Sequence, residues 1–248
     1  MLNPKKYMYC IISADGPQIF NIPGMAGADL AYTVNYKDLA VVVSDSCKER
    51  FTINRENMLA HQRVLEEVMR SFTLLPIRFG TLAESEENIQ TAVLKRRYQE
   101  FEQMLGHFKD KNQVGLKVMW TDLPAVFQEL SEANPRIKKL REAARVGRVE
   151  SRNKLIEIGR YVEQELARKK EHERERIVTA LKRLAHKTKI KDNYGDEMLV
   201  NANFLVEQSR QELFDAQVSQ LAEMYGPKAH FKYVGPIPPY DFVQIFIE

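Results

Sequence analysis

Between Gly159 and Gly195 the chain carries neither glycine nor proline, the residues that most readily interrupt a helix. Apolar residues recur before and through this stretch at helical spacing: Ile137, Leu140 and Ala144, then Leu155, Ile158, Val162 and Leu166, then Ile177, Ala180, Leu181 and Leu184. The remaining positions are mostly charged. So narrow an apolar stripe suits a helix paired with another helix better than one lying flat on a sheet. The spacing predicts a coiled-coil arm over about residues 135–187 that begins at Asn134-Pro135. One very long helix and a helical hairpin both satisfy it.

The arm also concentrates charge. From Arg136 to Lys189 there are 18 Lys/Arg against 8 Asp/Glu, a net of +10 in a chain whose net charge is only +3, so the rest carries −7. Phosphate binding needs cations clustered on one face, usually with aromatics. Here the bases alternate with acids and Tyr161 is the one aromatic, so a solvated helix facing an acidic or amphipathic protein partner is the better reading, and no nucleic acid is expected. No apolar run approaches the ~20 residues of a membrane helix. The short apolar run after Lys5 and Lys6 reads as a first strand rather than a signal peptide, and the expected protein is soluble and cytoplasmic. Cys10 and Cys47 have no ligand-like spacing and read as reduced, mostly buried thiols.

Outside the arm the pattern is α+β. Tyr7, Tyr9 and Ile11 alternate with Met8, Cys10 and Ile12, and a strand apolar on both faces belongs inside a covered sheet. Leu30–Tyr36 and Leu39–Ser44 form a hairpin about Lys37-Asp38, after a loop at Ile22–Gly27. Asn54 caps a helix whose apolar face includes His61, Val64, Leu65 and Val68. Phe72–Leu82 returns to strand, Ser85 opens a second helix running to Phe108, and Val114–Trp120 is a strand. After the arm come strands near Thr188–Lys191 and Met198–Val206, a helix Gln208–Tyr225, and final strands Ala229–Val234 and Phe242–Ile247. Two α+β domains are expected, 1–113 and 114–248. The second follows the βαββαβ order of a ferredoxin-like domain, with the arm inserted at its first helix.

No catalytic constellation emerges. There is no phosphate-binding glycine loop, no nucleophile elbow, and no His pair or Cys/His cluster with metal spacing. The run Glu171–Arg176 staggers carboxylates with bases and reads as a salt-bridge-laced helix. No cofactor, metal or enzymatic activity is expected, and His61 reads as a core residue. Two motifs stand out instead. In Leu75-Pro76-Ile77-Arg78-Phe79-Gly80, a charged Arg78 sits between strand-like apolar residues, where it pairs with a carboxylate or reaches solvent. In Gly235-Pro236-Ile237-Pro238-Pro239-Tyr240-Asp241-Phe242, three prolines remove three donors and hold the chain semi-extended, as a rim for a partner or a packed terminator.

These two stretches, in this order, resemble the LPxRFG and GPxPPY-F motifs of the gas vesicle protein F/L family. The opening strand, the charged helical middle and the Leu199–Val206 strand resemble it too, over nearly the whole chain. The resemblance implies an accessory protein of the gas vesicle, the gas-filled shell that gives aquatic microbes buoyancy. Such a protein would contact the major shell protein and other gas vesicle proteins, and would assist nucleation or limit aggregation of the shell protein. It would be cytoplasmic before joining the vesicle. The family brings no catalytic residues. Arg78, Ile237, Pro238, Pro239, Tyr240 and Phe242 are the expected partner-binding positions. Small-ligand binding or regulation by a ferredoxin-like domain is one alternative, and nucleic-acid binding through the basic arm is another.

Overall fold

The computed structural model describes residues 4–27, 29–139 and 151–247. Among these, the strands form two antiparallel sheets, and contacts group the chain into two units. The first comprises residues 1–113, 207–209 and 235–248; the second comprises 114–206 and 210–234. The sequence boundary at 113/114 kept 235–248 with the second domain, whereas their contacts lie in the first unit.

In the first unit, β1 (Lys5–Ser13) is flanked by β4 (Leu39–Ser46) and β5 (Leu74–Pro76). Beyond β4 lie β3 (Leu30–Tyr36) and β2 (Ile19–Pro23), and β6 (Leu82–Ala83) pairs with the start of β1. Tyr7 to Ile12 are fully buried, as their two-faced apolar pattern requires. The β3–β4 hairpin turns tightly, with Tyr36 opposite Leu39 and Lys37 in the left-handed region at φ 55°. The expected loop at Ile22–Gly27 overlaps β2 only at Ile22 and Pro23. Proline is tolerated there because β2 is the edge strand and Pro23 is its last residue.

Helix α1 (Arg55–Met69) begins at Asn54, whose side chain accepts the Asn57 N–H at 2.8 Å. Its buried His61, Val64, Leu65 and Val68 pack with Tyr7, Tyr9, Phe20 and Val42. The other helical layer was expected as one helix but is broken into pieces. Ser85 caps the short α2 (Glu86–Asn88), which passes into a π-wound stretch at Ile89–Lys95. Helix α3 (Tyr98–Phe108) follows after Arg97 leaves helical geometry. This winding buries Ile89, Val93 and Leu94 as well as Phe101, Leu105 and Phe108. Cys10 is buried as expected, but Cys47 is exposed. It sits in a tight turn after β4, where the Lys48 N–H bonds back to Ser46 Oγ.

The second unit holds a sheet ordered β10 (Ala229–Ile237), β7 (Lys111–Trp120), β9 (Met198–Glu207), β8 (Lys187–Ile190). From Met198 to Val206 every residue of β9 is buried. Helix α4 (Leu123–Ala133), capped by Asp122 with Pro124 in its first turn, contacts the 32-residue helix α5 (Ser151–Lys182). Residues 135–139 are also helical, and Arg136 stacks over the Tyr161 ring of α5 at 4.7 Å. Leu140, Ala144 and the link that would decide between one helix and a hairpin lie outside the described residues. Leu166, Ile177 and Leu181 of α5 join Val118, Phe204 and Phe214 in the core, where Phe214 comes from α6 (Gln211–Tyr225). Each fully buried side chain of this size contributes about 1.5–3 kcal/mol. The charged face of α5 is laced internally by Arg168–Glu165, Arg174–Glu171 and Arg176–Glu173 pairs, as its sequence pattern indicates.

Candidate functional site

The first motif is built on an aromatic and polar core. Pro76 faces Cys10 across the β1–β5 ladder, and the Ile77 N–H donates to the Tyr9 carbonyl at 2.9 Å. The chain then turns: the Thr81 N–H reaches back to the Arg78 carbonyl at 3.3 Å, and Gly80 occupies the third turn position at φ 84°. A β-turn of this kind needs positive φ there, which explains the glycine of the motif. The Gly80 N–H donates to the Tyr7 hydroxyl at 3.0 Å. That hydroxyl lies 3.0 Å from His61 Nδ1, and the tautomer of the imidazole decides which of the two donates. Phe79 meets Tyr7 and His61 edge-on. Burial lowers the His61 pKa to about 4 and holds the ring neutral, as a core residue rather than a ligand.

The second motif enters from the opposite end of the sequence. Its Gly235–Pro236 peptide is cis. Pro238 and Pro239 are buried, and the Phe242 and Val243 N–H groups both donate to the Pro239 carbonyl at 3.0 Å. That turn is why Phe242–Ile247 does not form the expected strand, leaving only a parallel bridge between Ile245 and Ile77. Buried Gln113 fixes the turn from below. It gives its amide N–H to Asp241 Oδ2 at 2.7 Å and accepts the Asp241 N–H at 3.0 Å. Beyond the turn, the Ile245 N–H donates to the Pro76 carbonyl at 3.3 Å and the Arg78 N–H to the Ile245 carbonyl at 3.2 Å. Residues some 170 positions apart in sequence thus meet at the β5 edge, and Val243 and Ile245 are buried there.

Of the six expected partner-binding residues, Pro238 and Pro239 are buried and act as scaffold. Ile237 and Phe242 are half-buried. Arg78 and Tyr240 are exposed. The Tyr240 phenol is pushed up by burial of its hydroxyl end and then by the Glu66 carboxylate. The Arg78 guanidinium makes no ion pair among the described residues. It lies 5.8 Å from the centroid of the Phe246 ring, which is 53% exposed. Arg97 holds the same segment by donating to the Phe246 carbonyl at 2.9 Å, while its other nitrogens grip Glu100 at 2.7 and 2.8 Å. That pairing raises the Arg97 pKa and lowers that of Glu100. Sequence reasoning missed Phe246, Arg97 and Gln113. The available signal was period two, because Val243 and Ile245 turn inward and leave an aromatic at 246 on the outward side.

The surface therefore offers an unpaired cation, two exposed aromatics and a rigid proline-backed turn. Such groups suit contact with a partner, and they include no nucleophile–base pair. Among the described residues no group of three or more His, Cys, Asp or Glu is placed to hold a metal ion, and no helix is long and apolar enough to cross a membrane.

The family model described as gas vesicle synthesis protein GvpL/GvpF matches residues 5–244. Gas vesicle protein F of Nostoc sp. is 26% identical over 241 residues, which cover 96% of this chain and 98% of that one. Gas vesicle protein F of Haloferax mediterranei is 23% identical and covers 97% and 94%. The crystal structure of GvpF from Anabaena superposes with a TM-score of 0.87 at 26% identity, covering 98% of this chain and 99% of that one.

Proposed function

The chain belongs to the gas vesicle synthesis protein GvpL/GvpF family, and on that premise we propose that it is a non-enzymatic assembly factor that binds the major shell protein. Family membership supports a role in gas vesicle formation and association with other gas vesicle proteins. In this reading the protein meets shell subunits in the cytoplasm, covers apolar surface before it can aggregate, assists nucleation, and ends at the vesicle. The observation that carries the reading is the meeting of the two motifs in one unit. There Arg78 and Phe246 face outward and the Tyr240 ring is partly exposed with its hydroxyl end buried, on a turn held by Gln113, Pro238 and Pro239. Exposed aromatics beside an unpaired arginine have the make-up of an interface hot spot.

The architecture of the second unit supports the same proposal. Strand order β10-β7-β9-β8, with helical connections after β7 and β9, fits a ferredoxin-like plan. Helix α5, with its narrow apolar stripe against α4, fits a coiled-coil arm.

The test is turbidity. Purified major shell protein is diluted from denaturant with and without this chain, and scattering is followed. The proposal expects the wild-type chain to suppress scattering near equimolar ratio, and the Arg78→Ala/Tyr240→Ala variant to suppress it poorly while remaining folded. Equal scattering with and without the wild-type chain would remove the proposed activity.

A further inference from the structure

A second surface, independent of the motif junction, lies wholly within the second unit. Helices α4 and α5 and the end of α6 enclose a cleft of about 350 Å³, within the range of about 300–1,000 Å³ typical of small-ligand sites. Its floor is apolar: Trp120 and Val126 are core residues whose edges line it. One wall is Tyr225 and Met224, the latter 55% exposed. An exposed thioether on a flexible stem adapts to apolar ligands of varied shape.

The charged groups at the rim are unequally satisfied. All three carboxylates are engaged. Asp122 accepts the Ala125 N–H of α4 at 2.9 Å, Glu129 pairs with Lys169 at 3.0 Å, and Glu173 accepts the Tyr225 hydroxyl. Two cations are not matched in the same way. Arg176 pairs loosely with Glu173 at 3.8 Å, its other terminal nitrogen abuts the Met224 sulfur, and its guanidinium lies 5.6 Å from the centroid of the Tyr225 ring. A thioether is a weak acceptor, so most of the donor capacity of this guanidinium is open. Lys228 is exposed, and its charge joins that of Lys169 in acting on the Glu129 carboxylate at the rim.

We infer that this cleft binds an amphipathic carboxylate, with its apolar body on Trp120, Val126 and Met224 and its carboxylate between Arg176 and Lys228. A single planar charge suits the site better than phosphate. The guanidinium fork of Arg176 matches the two oxygens of a carboxylate, and the three rim carboxylates close by raise the cost of bringing in a second negative charge. A free fatty or aromatic acid and an acidic side chain between apolar residues of a peptide share this chemistry. The inference does not rest on shell-protein binding, and its test contains no vesicle component.

Trp120 is the chain's single tryptophan, so its emission reports directly on the cleft. The full chain is titrated with octanoate, with the capped tripeptide acetyl-Leu-Glu-Leu-amide, and with octylamine as the charge-reversed control. A saturable change with octanoate or the peptide, absent with octylamine, is expected, and whichever acts at lower concentration identifies the source. Arg176→Gln and Lys228→Gln should each weaken binding about tenfold or more, the size associated with loss of a charged hydrogen bond. Lys182→Gln, a basic residue that does not line the cleft, should leave binding unchanged. Far-UV circular dichroism checks that each variant is folded. The inference is overturned if neither carboxylate gives a saturable change, if octylamine acts equally, or if both cleft variants bind as the wild type does.

Discussion

Lowering the pH should loosen the first unit through one residue. His61 is 4% exposed, and burial lowers its pKa to about 4 from an ordinary value near 6.5. Below pH 6.5 the unfolded chain takes up a proton at this position while the folded chain does not, so folded stability falls as pH falls. The contribution is intact above pH 6.5, declines by about 1.4 kcal/mol per pH unit, and reaches a total loss of about 3 kcal/mol near pH 4. At pH 5 the loss is about 2 kcal/mol. Carboxylates elsewhere also titrate in this range, so the measurement is a comparison with His61→Gln, whose amide can donate to or accept from the Tyr7 hydroxyl but does not titrate. Because Trp120 lies in the second unit, the readout is hydrogen exchange of the β1 amides at pH 7 and pH 5, corrected for intrinsic rate. The wild type should lose about 2 kcal/mol more protection than the variant over that interval. Identical pH dependence in the two proteins, or a titration near pH 6.5 of the imidazole resonance that disappears in His61→Gln, would refute the reasoning.

Tyr9→Phe removes the acceptor for the buried Met25 N–H at 2.7 Å and the Ser44 partner at 2.8 Å, and should cost about 1–3 kcal/mol in urea unfolding. Gly24→Ala would place a Cβ 2.2 Å from the Ser44 Cβ in a fully buried setting, so overpacking of about 1–3 kcal/mol is expected in the same assay. Ile245→Ala empties a buried site at the β5 edge and should cost about 2–5 kcal/mol, with faster exchange of the Ile77 and Arg78 amides. Arg97→Ala breaks a partly exposed pair and should change stability by less than about 1 kcal/mol, while freeing the segment at Phe246 in the same exchange experiment.

Much of this fold was written locally. The two-faced apolar run at Tyr7–Ile12, the helix starts at Asn54 and Ser85, and the Lys37-Asp38 turn each follow from short-range chemistry, and each sits where the sequence put it. What escaped was long-range. Nothing near Phe242–Ile247 says that Pro239 will capture two N–H groups, or that Ile245 will bridge to Ile77. The two motifs were legible as unusual, but their meeting depends on the tail returning to the first unit, which no local pattern encodes. Arg78 shows the same limit. A charge among apolar neighbours permits either a buried pair or solvent, and only the turn at Gly80 and the exposed ring of Phe246 select solvent. The break at Arg97 escaped because π winding keeps the apolar residues on one face, so the periodicity reads as one helix.

Capture of purified major shell protein by immobilised chain tests the central proposal most directly, with wild type and the Arg78→Ala/Tyr240→Ala variant compared at equal loading. The account predicts selective, saturable retention by the wild type and a loss of about tenfold or more in the folded variant, the scale of a hot-spot pair. Equal retention by the two would contradict the assignment of the motif junction, and no retention by the folded wild type would contradict shell-protein binding itself.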